Sequence, residues 1–214
     1  LALLRAYDAT GETAYRDGAQ VLWEDIQGGW NEEMGGGIAW RKEQLDYKNT
    51  PANAPSALLA ARLYARFGDP EDLAWAKRIY EWEKKTLVDP DTGHVWDGIN
   101  RLGDGQIDKG WAFTYNQGTF IGAGVALYEL TEDRAYLDDA IRTAEDTATR
   151  LAHPAGGMLP AEGEGDAALF KGILARYLGE LVQADPSPDR WVELLAANAN
   201  GMWERGRAED RALF

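Results

Sequence analysis

Residues Gly122–Arg142 read GAGVALYELTEDRAYLDDAIR: a helix of small and aliphatic residues ending near a tyrosine, a short polar turn, and then a second helix. The same plan recurs in Ala2–Gln20 (ALLRAYDATGETAYRDGAQ), Leu58–Arg78 (LLAARLYARFGDPEDLAWAKR) and Gly172–Leu194 (GILARYLGELVQADPSPDRWVEL). The turns carry helix-start chemistry. Asp69 and Ser187 each precede a proline, which suits an N-cap followed by the first helical position. Thr131 precedes Glu132 and Asp133, which places acids in a first turn. Runs of alternating β-branched residues do not occur, so the chain is predicted to be all-α.

The spacing of the repeats narrows the architecture. Tyr7, Tyr64, Tyr128 and Tyr177 lie 57, 64 and 49 residues apart, whereas a helical solenoid keeps a fixed period of roughly 34–47 residues. Long glycine-rich connections separate the hairpins: Gly28–Lys48, Asp89–Trp111 and His153–Gly165. Long loops in a compact domain are usually functional. A closed ring of paired helices fits, with the first helix of each pair on the inner wall and the loops gathered at one mouth. Four hairpins make an incomplete ring, so residues 1–214 are expected to be a single domain that is part of a longer one. Leu1–Tyr7 (LALLRAY) lacks an initiator Met and a basic leader and reads as the middle of a helix.

Composition removes several classes of function. The chain is 45% hydrophobic and has no cysteine, so a disulfide framework, a thiol nucleophile and cysteine-ligated metals are excluded. A balance of 22 basic to 36 acidic residues gives −14, which repels nucleic acid and anionic membranes. No run of about 18 apolar residues offers a membrane span. Two histidines, His94 and His153, share no ligand spacing, and neither a metal nor a cofactor is expected. Nine tryptophans point either to a heavily aromatic core or to a surface that stacks on flat or sugar-like ligands.

Candidate binding groups collect in the loops. The first contributes Trp40, Asn49 and Asn53, with Tyr47 and Lys48 between them; the second Trp96 and Asp97, then Trp111, Tyr115, Asn116 and Gln117; the third Phe170, Lys171 and Arg176. In each, an aromatic ring sits beside an amide or a charge just before an inner helix begins. That pairing suits a sugar, whose C–H face covers a ring while its hydroxyls take directional hydrogen bonds. The competing reading is that the same amides cap helices and anchor loops. Trp23, Trp75, Trp82, Trp191 and Trp203 lie in helical stretches and are expected in the core.

Four blocks, GGGIAWRKEQLDYKNTPAN, WDGI, TYNQGTFIGAGVALYELTEDRAYLDDA and FKGILARYL, occur in the order seen in glycoside hydrolase family 76, the α-1,6-mannanases, which this chain resembles over essentially its whole length. The resemblance implies an (α/α)6 barrel acting on α-mannan or another α-mannoside. It also implies retaining hydrolysis or transglycosylation, and an extracellular or cell-envelope setting. The residues it marks for substrate are Trp40, Asn49, Asn53, Trp96, Asp97, Tyr115, Asn116, Gln117 and Lys171. The family's catalytic pair is two adjacent aspartates just before a helix like LALLRAYDATGE, so it is expected upstream of Leu1 and not within these residues.

Three decoys are set aside. Asp138–Asp139 matches the helical YLDDA element, where neighbours point about 100° apart toward solvent or the next helix. Asn100–Trp111 resembles a calcium loop, but Leu102 and Trp111 stand where oxygen ligands are needed. Glu162, Glu164 and Asp166 read as a polar loop leading to a helix N-terminus. Two other functions stay open: a sugar epimerase on a related barrel, which would need its histidines at inner-helix starts, and a non-catalytic module binding a glycan or a protein. Oligomeric state is not legible.

Overall fold

The computed structural model describes residues 1–152 and 157–206. His153 lies outside them. Among the described residues eight α-helices form four hairpins: α1 (Ala2–Thr10) with α2 (Thr13–Gln27), α3 (Thr50–Phe67) with α4 (Pro70–Leu87), α5 (Thr114–Thr131) with α6 (Arg134–Asp146), and α7 (Phe170–Ala184) with α8 (Asp189–Arg205). The α6 helix continues as a π-helical turn, Thr147–Leu151. No helix among the described residues is long and apolar enough to cross a membrane.

The recurring tyrosine has a mechanical role at three turns. Gly11, Gly68 and Glu132 adopt the left-handed conformation, and each returns its N–H to a tyrosine carbonyl, of Tyr7, Tyr64 and Tyr128 respectively, at 2.8 Å. Such a residue ends a helix while satisfying an orphan carbonyl. The fourth hairpin departs from the rule, because α7 runs on past Tyr177 and closes instead with Asp185 N–H on Leu181.

The helix starts agree with the sequence in one case of three. Asp69 caps α4, accepting from Glu71 N–H at 3.0 Å. For α6 the cap is Asp133, because the Thr131 hydroxyl turns back to the Leu127 carbonyl at the end of α5. Ser187 does not cap α8. Asp185 organises that turn, accepting from Ser187 N–H and from the Trp191 indole.

Helices α3, α5 and α7 stand side by side as the inner layer, each backed by its partner. The middle one is buried over most of its circumference, and glycine makes that possible. A Cβ on Gly118 would fall 2.6 Å from Leu174 Cα of α7, and one on Gly124 would fall 2.8 Å from the Tyr136 carbonyl of α6. The turn end is tied by ion pairs. Arg66 of α3 grips Asp8 at 2.9 and 2.5 Å, and Arg62 reaches Glu180 of α7 at 2.6 Å.

Two features depart from expectation. A small antiparallel sheet, in the order β1 (Ala39–Arg41), β2 (Gln44–Asn49), β3 (Gly98–Ile99), links the first two long loops. These strands are too short to show an alternating pattern. Among the helical tryptophans, Trp23, Trp82 and Trp191 are buried and Trp75 packs edge-on to Trp23 and Trp30, but Trp203 stays about half exposed on α8.

The close approach of α5 to α7 gives a clean contrast. Gly118→Ala should destabilise the fold by about 1–3 kcal/mol through overpacking. Gly179→Ala on α7, where nothing lies within 4 Å of the new methyl, should stabilise it by up to about 1 kcal/mol. Thermal denaturation of the two variants reads the difference.

Candidate functional site

The inner helices α3, α5 and α7 all begin at the loop end, and their first turns carry the polar groups. Asn49 ends β2 and caps α3, its side chain accepting from Ala52 N–H at 3.2 Å. Opposite it in the sheet is Gly98, the residue after Asp97. A Cβ on Gly98 would fall 2.8 Å from both the Lys48 carbonyl and the Tyr47 ring, so only glycine lets the two strands close here.

That closure delivers Asp97 to the centre of a hydrogen-bonded cluster. Its carboxylate accepts from the Tyr47 hydroxyl at 3.2 Å, the Tyr115 hydroxyl at 3.1 Å and the Asn116 amide at 3.1 Å. Its backbone carbonyl accepts from Thr50 N–H at the start of α3. One buried acid thereby joins β2, β3, α3 and α5. Burial and then the Asp97 charge push the phenols of Tyr47 and Tyr115 well above the ordinary tyrosine range, which keeps them neutral donors. Asn116 Oδ1 is buried beside the carboxylate and has no protein hydrogen-bond partner among the described residues.

The sequence candidates divide on inspection. Asn49, Asp97, Tyr115 and Asn116 come together. Lys171 is half-buried and follows Phe170, whose ring lies 4.1 Å from that of Tyr115. Asn53 and Gln117 anchor loops. Asn53 accepts from Ile38 N–H at 2.7 Å and donates to the Ile38 carbonyl at 3.0 Å and the Asn49 carbonyl at 2.8 Å. Gln117 does the same to Val95, accepting at 2.9 Å and donating at 2.7 Å. Both are fully buried with both amide atoms engaged by loop backbone.

Trp96, part-exposed in the loop before β3, packs edge-on to His94 at 4.3 Å, with the Arg150 guanidinium 5.9 Å and the Lys109 ammonium 6.0 Å from its ring. Trp40 stands half exposed beyond the hairpin, lining a separate groove of about 750 Å³ with Leu45, Pro51, Pro55 and Leu59.

The decoys sort cleanly. His94 is wholly buried, with Nδ1 2.7 Å from Asp146. Burial alone would raise the Asp146 carboxyl, but the hydrogen bond and charge of His94, with Arg150, hold it below the usual carboxylate range. Asp138 is exposed and pairs with Arg134, while Asp139 is enclosed by Tyr80, Lys84 and Arg142. Glu162 caps the start of α5, accepting from Thr114 N–H at 2.7 Å, rather than the nearer α7. Among the described residues no group of three carboxylates or histidines gathers as a metal site.

Two buried ionisable groups escaped sequence reasoning as structural parts of the site. Lys48 has no exposed surface; its ammonium donates to the Gly37 carbonyl at 2.8 Å, and burial pulls its pKa down to about 8. Gly37 takes φ +88° and rests against the Trp82 indole, leaving no room for a Cβ. Glu83 of α4 is wholly enclosed near Thr50, and burial drives its carboxyl well above its ordinary range. In sequence it belongs to the charged run EWEKK and looks solvated.

The sequence model of glycosyl hydrolase family 76 matches residues 1–212. The chain belongs to that family. Among solved family 76 structures, the α-1,6-mannanase of Salegentibacter sp. HEL1_6, as an inactive variant with two adjacent aspartates replaced by alanine and in complex with α-1,6-mannotetrose, superposes with a TM-score of 0.92. It is 42% identical, covering 97% of this chain and 63% of that one. The Lin0763 protein of Listeria innocua also gives 0.92 at 42% identity, covering 97% of this chain and 59% of that one. The curated relatives include the mannan endo-1,6-alpha-mannosidase DCW1 of Candida albicans, 27% identical over 202 residues, which are 86% of this chain and 44% of the relative. The chain thus spans less than half the length of that relative. These neighbours are alpha/alpha barrels, and the four hairpins are the part of such a barrel that this chain supplies.

Lys48 generates a pH test. Its folded pKa lies below the ordinary 10.5, so between about pH 8 and 10 the unfolded chain holds a proton that the folded chain has released, and stability should rise with pH. Lys48→Met should remove that rise. Denaturant midpoints measured from pH 7 to 10 for both proteins check it.

Proposed function

We propose that this chain supplies the substrate groove of a glycoside hydrolase that cleaves α-1,6-linked mannosides, with the Asp97 cluster holding a mannose unit. The observation that carries the reading is the buried Asp97 carboxylate fixed by Tyr47, Tyr115 and Asn116 at the loop end of a family 76 chain. The names of the relatives support the substrate class: mannan endo-1,6-alpha-mannosidase for the Candida protein and α-1,6-mannanase for the Salegentibacter protein.

Asp97 serves as a positioning residue. Both of its oxygens are held by donors from three directions, whereas a nucleophile needs an oxygen free to approach an anomeric carbon. Its charge fixes the two phenols as donors. The proposal includes a retaining mechanism. One carboxylate would attack and a second carboxyl would act as acid and then base, the two about 5–5.5 Å apart. The pair that the family resemblance sets before Leu1 would fill these roles. The Salegentibacter variant lacking two adjacent aspartates is inactive, which supports that division of labour. An extracellular or cell-envelope setting, where such glycans are met, belongs to the same proposal.

The full-length protein should release reducing sugar from α-1,6-mannan. Asp97→Ala should lower kcat/KM by about 10- to 100-fold through loss of charge-assisted hydrogen bonds, while Asp138→Ala, on an exposed helix face, should leave it unchanged. A full-length protein that frees no reducing ends from any α-mannoside would end the reading.

A further inference from the structure

The connection into α5 carries a strip of touching aromatic rings that leads from solvent to the Asp97 cluster. Trp111 and Phe113 lie 5.9 Å apart between centroids; Phe113 stacks on Tyr115 at 5.8 Å and meets Phe170 edge-on at 5.4 Å. Tyr115 then hydrogen-bonds Asp97. A cluster built only to pack a loop would turn its largest ring inward. Here the indole is the outermost ring, 41% exposed, and Phe113, Tyr115 and Phe170 are all incompletely buried.

The outermost ring is also braced. The Arg101 guanidinium lies over the Trp111 ring at 4.2 Å, and Arg101 is itself fixed by Asp108 Oδ1 at 2.9 Å. A ring steadied on one side by a cation and open to solvent elsewhere gives up little rotamer freedom when a ligand arrives.

We infer that Trp111, with Phe113 behind it, is an outlying sugar platform that takes a distal unit of a long α-mannoside and makes the enzyme favour long chains over short ones. The inference rests on the function proposed above. The chemistry suits the ligand. An α-1,6 linkage has one more rotatable bond than a link between ring carbons, so distal units arrive in varied orientations. An aromatic face accepts a C–H face over a range of angles, whereas a hydrogen-bonded pair demands one geometry. The platform stands two ring-to-ring steps from Tyr115, so it acts on chain length and not on the unit held at Asp97.

The test uses the full-length protein and two substrates, α-1,6-mannotriose and α-1,6-mannohexaose. Trp111→Ala should lower kcat/KM on the hexaose about tenfold, leave the triose within about twofold, and keep the wild-type melting temperature. Trp111→Phe should restore most of the lost preference. Equal losses on both substrates, a loss accompanied by a lower melting temperature, or no loss on either would overturn the platform. A wild-type protein that cleaves neither substrate would instead refute the function beneath it.

Discussion

Two side-chain amides hold the loop end of this molecule in place. Asn53 and Gln117 occupy the same position, four residues after the cap, on the inner helices α3 and α5. Each pairs with both backbone groups of a single loop residue, Ile38 or Val95. A long loop has no ladder of its own, so its buried N–H and C=O groups need partners from elsewhere. Drawing them from the first turn of a buried helix fixes the loop to the most rigid part of the fold. Asp97 follows Val95 by two residues, and the sheet that positions it begins just after Ile38. The corresponding residue of α7 is Ile173, which has no such group.

The charges in this region show how much the arrangement tolerates for the sake of geometry. Lys48 and Glu83 are both wholly buried, and for each the dominant influence is desolvation, not a neighbouring charge. Neither is an ion pair that sustains itself. Lys48 gives its ammonium to a single carbonyl in a glycine turn pressed against Trp82. Such groups cost stability unless they fix a conformation. What Lys48 fixes is the Gly37 turn, one residue before Ile38 and therefore next to the Asn53 clamp.

The inner and outer helices were legible in the sequence because burial writes itself into composition. GAGVAL cannot be a solvated helix, and the tyrosine that closes three of the hairpins marks their ends. Asp97, Tyr115 and Asn116 were legible as polar and aromatic groups flanking an inner-helix start. What could not be read was which of two adjacent amides does which job. Asn116 and Gln117 are neighbours of the same chemistry, and only their different directions on the helix send one to Asp97 and the other to Val95. The equivalence of Asn53 with Gln117, both counted from their caps, was a usable signal. The sheet was not legible, since two residues of β3 carry no period. Trp203 misled because helical placement alone does not set which face a ring takes.

The separation between the two ends of the helices has an evolutionary consequence. At one end the hairpins close through Gly11, Gly68 and Glu132, backed by ion pairs at the helix ends, and nothing there takes part in the Asp97 cluster. A longer connection at those turns would cost chain entropy that grows only slowly, about 0.6 kcal/mol for each doubling of length. At the other end a residue inserted between Val95 and Asp97 would shift one of them from its partner on α5, Gln117 or Asn116. Domain fusions and lineage-specific extensions should therefore accumulate at the tyrosine-closed turns, leaving the opposite rim to diversify by substitution alone.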